Sequence, residues 1–170
     1  MITVKLKLKE GVELPKYQTP GSGAVDLVFH DVVKLYTRNN YEMTNVDETF
    51  KGFKSGGVNY ICIRPGERAL IDTGLTLADI EEGYKLDLTI RSGQALKNGL
   101  SLSNSKGLVD NDYRDMIGLI LTNTTNALVR INKGDRIAQM EVVKYNQTKF
   151  EAVEEVKVTE RKGGFGSTGV

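Results

Sequence analysis

Short runs in which apolar and polar residues alternate are the strongest constraint on how this chain folds. Residues 2–9 alternate strictly, and so do residues 84–90. A period of two is typical of half-buried β-strands, and no window keeps the apolar period of a helix for three turns. Turn signals, such as Pro-Gly at 65–66 and Asn-Gly at 98–99, separate the runs. The sequence therefore predicts an all-β domain of the sandwich or barrel type, with one helical turn at residues 94–97.

The same pattern divides the chain into one domain and two segments that differ from it. Residues 36–59 are polar and contain glycine, which indicates an irregular loop inserted between strands. We expect a single β domain over residues 1–159 and a flexible, glycine-rich C-terminal arm over residues 160–170. Further β-rich runs are expected at residues 32–33, 60–63, 69–71, 117–121, 128–131 and 137–143.

The composition excludes several classes of protein. The 23 Lys and Arg residues nearly balance the 22 Asp and Glu residues, so no overall field would steer the chain onto nucleic acid or an anionic membrane. The one cysteine, Cys62, cannot form an internal disulfide, and the one histidine, His30, cannot build a histidine metal cage. No long apolar run or signal-peptide pattern is present, which favours a cytoplasmic protein, in the host cytoplasm if a phage encodes it.

Three polar clusters carry residue types that suit a phosphorylated ligand, and each also has a purely structural interpretation. Asp26 follows a glycine-rich bend, where an Asp commonly caps a turn. The Arg-Ser-Gly sequence at 91–93 offers a charged fork, a hydroxyl and an unshielded N–H group, but Ser92 could equally be a helix N-cap. Gln139 interrupts an apolar run, either as a buried structural amide or as a ligand contact.

A fourth cluster, at residues 107–115, places carboxylates beside an aromatic ring. Asp110, Asp112 and Asp115 lie within six positions and flank Tyr113. The spacing does not match the oxygen ligands of an EF-hand calcium loop. The cluster predicts either a base presented next to a flat apolar ring or a polar hairpin between strands.

Residues 164–169 match the pattern G-x-G-x-x-G, but we reject a dinucleotide-binding site. That motif has to follow a strand and open a helix, whereas only one residue follows it here. A glycine-rich segment with one aromatic side chain, Phe165, can instead close over a ligand while its N–H groups wrap phosphates. The alternative is a frayed end.

In their order and spacing, these clusters resemble the five motifs of the trimeric dUTP nucleotidohydrolases (dUTPases). The matching segments are residues 23–27, 91–99, 104–114, 134–139 and 163–169. Only residues 36–59 lack a counterpart, so the chain resembles a bacterial or phage-type member with an insertion between motifs one and two. It departs from the usual motifs at residues 24–25, Ile90 and Asp115, and Arg161 lies one residue closer to Gly-Gly-Phe than usual.

The resemblance implies a fold and an assembly. The subunit would have a β-jelly-roll-like (β-clip) fold and would form a homotrimer with a mobile C-terminal arm. Three active sites would lie between subunits. Motifs one, two and four would come from one subunit, residues 110–113 from a second, and the arm from the third.

The resemblance also implies an activity, the hydrolysis of dUTP to dUMP and pyrophosphate. Asp110 would orient and deprotonate the water that attacks the α-phosphorus. Mg²⁺ would be held mainly by substrate phosphates, with Asp26 contacting it through water. No nucleic acid or membrane partner is implied. The residues implied to bind substrate are Arg91, Ser92, Gly93, Asn104, Gly107, Tyr113, Gln139, Arg161, Phe165, Gly166 and Ser167.

Two alternatives stay open at this point. A dCTP deaminase shares the fold, but deamination would need a Glu near the base edge, where the third motif here offers Asp and Tyr. The chain could also have a regulatory role in addition to catalysis, by binding a protein through residues 36–59.

Overall fold

A computed structural model of the protein describes residues 2–37, 51–54 and 57–160. Within these residues the chain forms twelve strands and one short helix. The strands are β1 (Val4–Leu8), β2 (Val25–Val28), β3 (Asp31–Tyr36), β4 (Lys51–Lys54), β5 (Gly57–Ile63), β6 (Arg68–Ile80), β7 (Tyr84–Ile90), β8 (Leu100–Leu102), β9 (Gly107–Val109), β10 (Met116–Asn123), β11 (Val129–Asn132) and β12 (Arg136–Lys144), and the helix is α1 (Ser92–Asn98).

The strands pair into three antiparallel sheets. In the largest sheet, β6 lies between β10 on one side and β1 and β3 on the other, and β8 pairs with the far edge of β10. A second sheet has the order β2-β12-β7-β9, and a third has the order β11-β5-β4. The predicted all-β class is confirmed, and the second sheet carries most of the motifs.

One apolar core joins the sheets. Alternation along β7 turns Leu86 and Leu88 inward, and alternation along β10 turns Ile117, Leu119 and Leu121 inward. These five side chains are at most 2% exposed. Burying a side chain of this size stabilises the fold by about 1.5–3 kcal/mol. Because Leu86 and Leu88 point inward, the alternate residues of β7, which include Lys85 and Asp87, point to the outer face of its sheet.

Most of the strands follow the sequence pattern. The predicted strands are confirmed at β1, β3, β5, β6, β7, β10, β11 and β12, and the predicted helical turn lies within α1. The strands β2, β8 and β9 were not predicted. They have four, three and three residues, too few to show a period of two, and each pairs with a longer neighbour.

The segment at residues 36–59 contains more regular structure than its composition indicated. β3 extends to Tyr36, and β4 and β5 form an antiparallel hairpin that continues the sheet of β11. The prediction of an irregular loop is therefore wrong for residues 51–54 and 57–59, because pairing with a neighbouring strand overrides weak local preference. The hypothesis of a partner surface concerns residues 36–59, of which residues 38–50 and 55–56 lie outside the described residues.

The residue that caps the start of α1 differs from the one expected. Arg91, with φ −68° and ψ 138°, is the N-cap, and its side chain makes no capping hydrogen bond. The helix begins at Ser92, so the interpretation of Ser92 as the N-cap is wrong. Gly99 ends the helix at φ 58°, the left-handed conformation that glycine adopts without strain. Within the described part of the chain, no helix is long and apolar enough to cross a membrane.

Beyond β12 the chain has no further strand or helix up to residue 160. Four apolar side chains in this segment are 74–92% exposed: Phe150, Val153, Val156 and Val158. Exposed apolar side chains this close together in the sequence are available for contact with another molecule.

Candidate active site

Three residues singled out in the sequence meet on the outer face of the β2-β12-β7-β9 sheet. Gln139 of β12 lies opposite Asp26 of β2 on one side and Thr89 of β7 on the other. Arg91 directly follows β7, and its backbone N–H donates to the Ile137 carbonyl at 3.2 Å. Asp26, Arg91 and Gln139 line a cavity of about 500 Å³, which we call the sheet cavity. Strand register brings motifs one, two and four together.

The Asp26 carboxylate lies between two guanidinium groups. Arg136 Nη1 donates to Oδ2 at 3.1 Å, and Arg91 Nε lies 3.0 Å from Oδ1. The Arg91 contact is an ion pair whose geometry makes no hydrogen bond, so the buried Oδ1 has no hydrogen-bond partner among the described residues. The side chain of Asp26 is only 6% exposed. A buried carboxylate oxygen in this state is suited to accept a hydrogen bond from a bound water or ligand.

The first turn of α1 adds donors next to Arg91. The Arg91 carbonyl accepts the N–H groups of Gln94 and Ala95, both at 3.0 Å. The N–H groups of Ser92 and Gly93 precede these, in the part of a helix where backbone donors have no partner inside the helix. Ser92 and Gly93 are exposed. This turn can therefore donate to an anion held by Arg91.

The turn at residues 110–113 presents a carboxylate and an aromatic ring together. The Tyr113 N–H donates to the Asp110 carbonyl at 3.1 Å and closes the turn. The Tyr113 hydroxyl donates to the Met116 carbonyl at 2.9 Å, which fixes the far end of the ring. Burial, helped by the charge of Asp115, raises the pKa of Tyr113, so its hydroxyl remains a donor at neutral pH. Asp110 is exposed and Tyr113 is 39% exposed, so both face outward.

Asp110 lines a second cavity of about 500 Å³, which we call the Asp110 cavity. Glu82 and Asp112 add two more carboxylates, and Lys85 is the one cation among the described residues that line it. Three carboxylates and one ammonium give this cavity a negative balance. A polyphosphate would be repelled here unless cations are supplied from elsewhere.

The connection between β8 and β9 carries two more predicted residues. Asn104 is exposed, and its carbonyl accepts the Lys106 N–H at 2.6 Å. Gly107 begins β9 and packs tightly, since a Cβ there would lie 3.0–3.2 Å from side-chain atoms of Leu88. Asn104 lines a third cavity, of about 330 Å³. The glycine thus allows β9 to approach β7 closely.

The sheet cavity and the turn at residues 110–113 lie at opposite ends of β7. β9 pairs Val109 with Leu86, which brings Asp110 to the level of Lys85. Arg91 lies six residues further along the chain than Lys85, which corresponds to about 20 Å in a strand. Reacting atoms have to lie within about 3–3.5 Å of each other. Within one chain, therefore, Asp110 does not reach a phosphate held by Arg91.

The predicted site residues thus fall into three groups. Five of them lie at or next to the sheet cavity: Asp26, Arg91 and Gln139 line it, and Ser92 and Gly93 follow Arg91 in the first turn of α1. Four lie on or next to β9, away from that cavity: Asn104, Gly107, Asp110 and Tyr113. Four lie outside the described residues: Arg161, Phe165, Gly166 and Ser167.

Sequence reasoning missed Arg136 and Lys85. Arg136 lies within the fourth motif, but its contact with Asp26 depends on the pairing of β12 with β2. Lys85 shares the outer face of β7 with Asp87, because residues two apart in a strand point the same way. The period of two at residues 84–90 is a signal from which the common face of Lys85 and Asp87 could have been predicted.

Comparisons with known proteins agree with this architecture. The dUTPase family model matches residues 57–169. The deoxyuridine 5'-triphosphate nucleotidohydrolase of Fusobacterium nucleatum is 37% identical over 169 residues, covering 99% of this chain and 97% of the relative. The Staphylococcus bacteriophage 80alpha dUTPase with dUPNHPP has a TM-score of 0.71 and 25% identity, covering 99% of each chain. A mutant dUTPase from phage phi11 of S. aureus, with a coordinated structural Mg(II) ion, has a TM-score of 0.68 and 20% identity, covering 92% of this chain and 99% of that one.

Fold and matches together define the class, an all-β protein with the jelly-roll-like fold of the dUTPase structures. The family match covers well over half of the chain, and the alignment to the bacterial relative spans nearly all of it. The chain belongs to the dUTPase family.

Proposed function

We propose that this protein hydrolyses dUTP to dUMP and pyrophosphate, with Asp110 as the base that activates water. Membership of the dUTPase family supports the reaction. The observation that supports Asp110 in this role is the closed turn at residues 110–113, where an exposed carboxylate sits beside a ring fixed by its hydroxyl. The turn thereby keeps the backbone of Asp110 next to the Tyr113 ring, which offers an apolar surface of about the size of a sugar.

Asp110 orients the water and accepts its proton as the oxygen attacks the α-phosphorus in line. The bond from the α-phosphorus to the leaving pyrophosphate breaks in the same step. A carboxylate is a weak base at neutral pH, so the reaction also requires that charge developing at phosphorus be neutralised. In this proposal, the positive charge and the hydrogen-bond donors that neutralise it come from the residues at the sheet cavity.

Arg91, Ser92, Gly93 and Gln139 bind the triphosphate in this proposal. Asp26 pairs with the Nε side of Arg91, which leaves the two terminal nitrogens of that guanidinium as the donors for phosphate in this proposal. Two parallel donors of this kind match the geometry of phosphate oxygens. The Ser92 hydroxyl, the first-turn N–H groups of α1 and the Gln139 amide complete the set of donors.

The residues at the sheet cavity fit a magnesium ion held mainly by substrate. Asp26 Oδ1 is buried and lacks a hydrogen-bond partner, as expected of a group that binds the water of a hydrated ion. Within the described residues, no cluster of three or more His, Cys, Asp or Glu side chains forms a metal cage. This fits Mg²⁺, which keeps several waters and binds through few carboxylates plus phosphates. When bound, it would neutralise charge on the phosphate oxygens, while Asp26 fixes the position of its water.

The region around β9 would select the nucleoside. Tyr113 would pack against the deoxyribose, where a 2′-hydroxyl has no room. The Asn104 amide and the backbone from Asn104 to Gly107 would pair with the uracil edge. A site built around such hydrogen bonds rejects analogues that lack them by up to about 10⁴–10⁵.

We propose a homotrimer in which these two regions meet across a subunit boundary. The separation of about 20 Å along β7 requires that Asp110 serve a triphosphate held by another chain. The exposed apolar side chains of Phe150, Val153, Val156 and Val158 support contact with a neighbouring copy. Three chains in a closed ring would form three equivalent sites.

The division of the chain follows the same proposal. Residues 1–159 form the catalytic domain, with residues 36–59 as an insertion, and residues 160–170 act as an arm that completes a neighbouring site. Arg161 and Ser167 would contact phosphates, Gly166 would let the backbone approach them, and Phe165 would stack on uracil. Stacking of this kind is worth about 1–3 kcal/mol, so Phe165→Ala should lower kcat/KM at least about fivefold without loss of the trimer. We place the reaction in the cytoplasm, where nucleotide metabolism occurs.

One assay tests the proposed function directly. Release of pyrophosphate is measured from dUTP, dTTP, dCTP and UTP, and release of ammonia is measured from dCTP. We expect rapid pyrophosphate release from dUTP alone. Ammonia from dCTP would instead identify a deaminase, and equal hydrolysis of all four nucleotides would contradict the assigned nucleoside site.

A further inference from the structure

Asp87 is a buried carboxylate with no part in the steps above. It lies on β7 between the inward-facing Leu86 and Leu88, so its side chain is on the outer face of the sheet. Its cross-strand neighbours are Leu108 on β9 and Glu141 on β12. The Asp87 side chain is nevertheless only 7% exposed. A carboxylate buried to this degree is destabilising unless it is paired, so its partners indicate its role.

Two lysines pair with Asp87, one at each oxygen. Lys106 Nζ donates to Oδ2 at 2.6 Å, and Lys85 Nζ donates to Oδ1. Burial alone would raise the pKa of Asp87, but the hydrogen bonds and charges of Lys106 and Lys85 outweigh it and hold that pKa below its ordinary value. Glu141, the other charged group opposite Asp87, is exposed and pairs with neither lysine. Both lysines are therefore attached to an ionised Asp87 at neutral pH.

Lys106 attaches the β8–β9 connection to β7. Ser105, just before it, has φ 61°, a conformation that serine rarely adopts. β9 pairs with β7 through three residue pairs only, and Gly107 contributes no side chain to hold the connection. The ion pair from Lys106 to Asp87 therefore anchors the segment that carries Asn104 to the centre of the sheet.

Lys85 lines the Asp110 cavity, at the level of Asp110 on the neighbouring strand β7. The titratable groups that face Asp110 there are Glu82, Asp112, Lys85 and Tyr145. Because Lys85 is bound to Asp87, its charge is held on the β7 side of the cavity. If Asp87 were neutral, the Lys85 ammonium would be free to pair with a carboxylate of the cavity, Asp110 included.

We propose that Asp87 is a positioning residue for both parts of the Asp110 side of the site. Through Lys106 it holds the segment that binds the base, and through Lys85 it keeps an ammonium near Asp110 without pairing to it. The role rests on the proposed function, since it concerns the same base and the same nucleoside pocket. Substituting a purely structural carboxylate would leave the pH dependence of turnover unchanged. Substituting Asp87 should change it.

The pH profile of kcat tests the Lys85 branch. In Asp87→Asn, we expect the Lys85 ammonium to form an ion pair with Asp110. Such a pair favours the ionised carboxylate, so the acid limb of the kcat profile should shift to lower pH by about one unit. A carboxylate in an ion pair is also a poorer base, so kcat should fall at neutral pH. In Lys85→Met, the carboxylates of the cavity lose their cation, so the acid limb should shift to higher pH. The double variant should behave like Lys85→Met, because the released ammonium is absent.

The Michaelis constant tests the Lys106 branch. Lys106→Met should raise KM for dUTP about three- to fivefold with kcat within about twofold of wild type, as expected for loss of a partly exposed ion pair. Lys106→Arg, which keeps the cation, should recover most of the affinity. Lys144→Met is the matched control, since Lys144 is an exposed lysine on β12 of the same sheet with no ion pair among the described residues. It should leave both constants unchanged.

The measurements separate this role from the proposed function. Pyrophosphate release by the wild-type chain is measured first, and its absence would contradict the function and the role of Asp87 together. If wild type is active but Asp87→Asn moves neither the acid limb nor KM, Asp87 is structural and the inference is overturned while the function stands. If Asp87→Asn does not assemble, Lys85→Met and Lys106→Met decide: a displaced acid limb and a raised KM support the role, and unchanged values overturn it.

Discussion

The two ends of β7 differ in how much of the proposed active site a single chain completes. At the Arg91 end, Asp26 and Gln139 lie on paired strands, Arg91 directly follows the third strand of that group, β7, and the Asp26 carboxylate is buried between Arg91 and Arg136. At the Asp110 end, the carboxylate that we propose as the base lies exposed on a turn held mainly by hydrogen bonds to backbone carbonyls. The sheet end is built as a binding surface, whereas the turn end presents its groups outward.

The charges at the two ends are complementary. Arg91 and Arg136 lie beside the sheet cavity, while Glu82, Asp110 and Asp112 line the Asp110 cavity. In the proposed reaction, the Arg91 end binds the polyphosphate but does not supply the carboxylate that activates water, whereas the Asp110 end has that carboxylate but would repel a polyphosphate. Bringing the Arg91 end of one chain to the Asp110 end of another would supply both, which is why we place the active site between subunits.

Removing the base should have the largest effect. In Asp110→Asn, we expect kcat to fall by about 10²–10⁴, the usual contribution of a general base. The side chain is exposed, so the melting temperature and the mass by light scattering should match those of wild type. Single-turnover measurements of pyrophosphate release would check this. Turnover within threefold of wild type would show that another group activates the water.

Disrupting the sheet end should have the next largest effect. Arg91→Gln removes charge-assisted hydrogen bonds to phosphate, so we expect kcat/KM to fall about 10- to 150-fold. Arg91→Lys keeps the charge but loses the fork, and should recover only part of this. Arg130→Gln, on the β11 strand and over the Tyr60 ring, is the control and should not change kcat/KM.

The sequence was sufficient for the fold class and for much of the site because both depend on local pattern. The period of two at residues 2–9 and 84–90 predicted β1 and β7, and short motifs singled out Asp26, Arg91 and Gln139. Such signals come from neighbours in the chain, which the sequence displays directly.

What the sequence could not predict depends on pairing between distant segments. Asp26 and Gln139 are opposite each other only because β2 pairs with β12, more than a hundred residues away. The contact of Arg136 with Asp26 follows from the same register. Likewise, the distance between Asp110 and Arg91 depends on how β9 pairs with β7, which no motif reveals.

A smaller effect is expected where the turn end is fixed by one hydrogen bond. Tyr113→Phe keeps the ring but loses the bond to the Met116 carbonyl, worth about 0.5–1.5 kcal/mol. We expect KM for dUTP to rise about two- to tenfold and discrimination against UTP to weaken by a similar factor. Steady-state kinetics with both nucleotides would check this, and an unchanged ratio of their kcat/KM values would show that the hydroxyl does not position the ring.

The smallest effect is expected in stability against pH. The folded pKa of Asp87 lies below its ordinary value, so its ion pairs stabilise the protein above about pH 4 and this stabilisation is lost as the pH falls through the folded pKa. Asp87→Asn should therefore lower the melting temperature by a few degrees at pH 7, and the difference should close towards pH 2. A difference independent of pH would show that packing, and not charge, is responsible.

Mixing two impaired variants tests the composite site most directly. Asp110→Asn and Arg91→Gln are each purified, unfolded together at equal concentrations and refolded, and pyrophosphate release is compared with that of each variant treated alone. If the site joins the Arg91 end of one chain to the Asp110 end of another, random assembly should restore about a quarter of wild-type activity, since half of the chains carry each intact end. If the mixture is no more active than the average of its two components while wild type recovers after the same treatment, each site lies within one chain and the composite site is wrong.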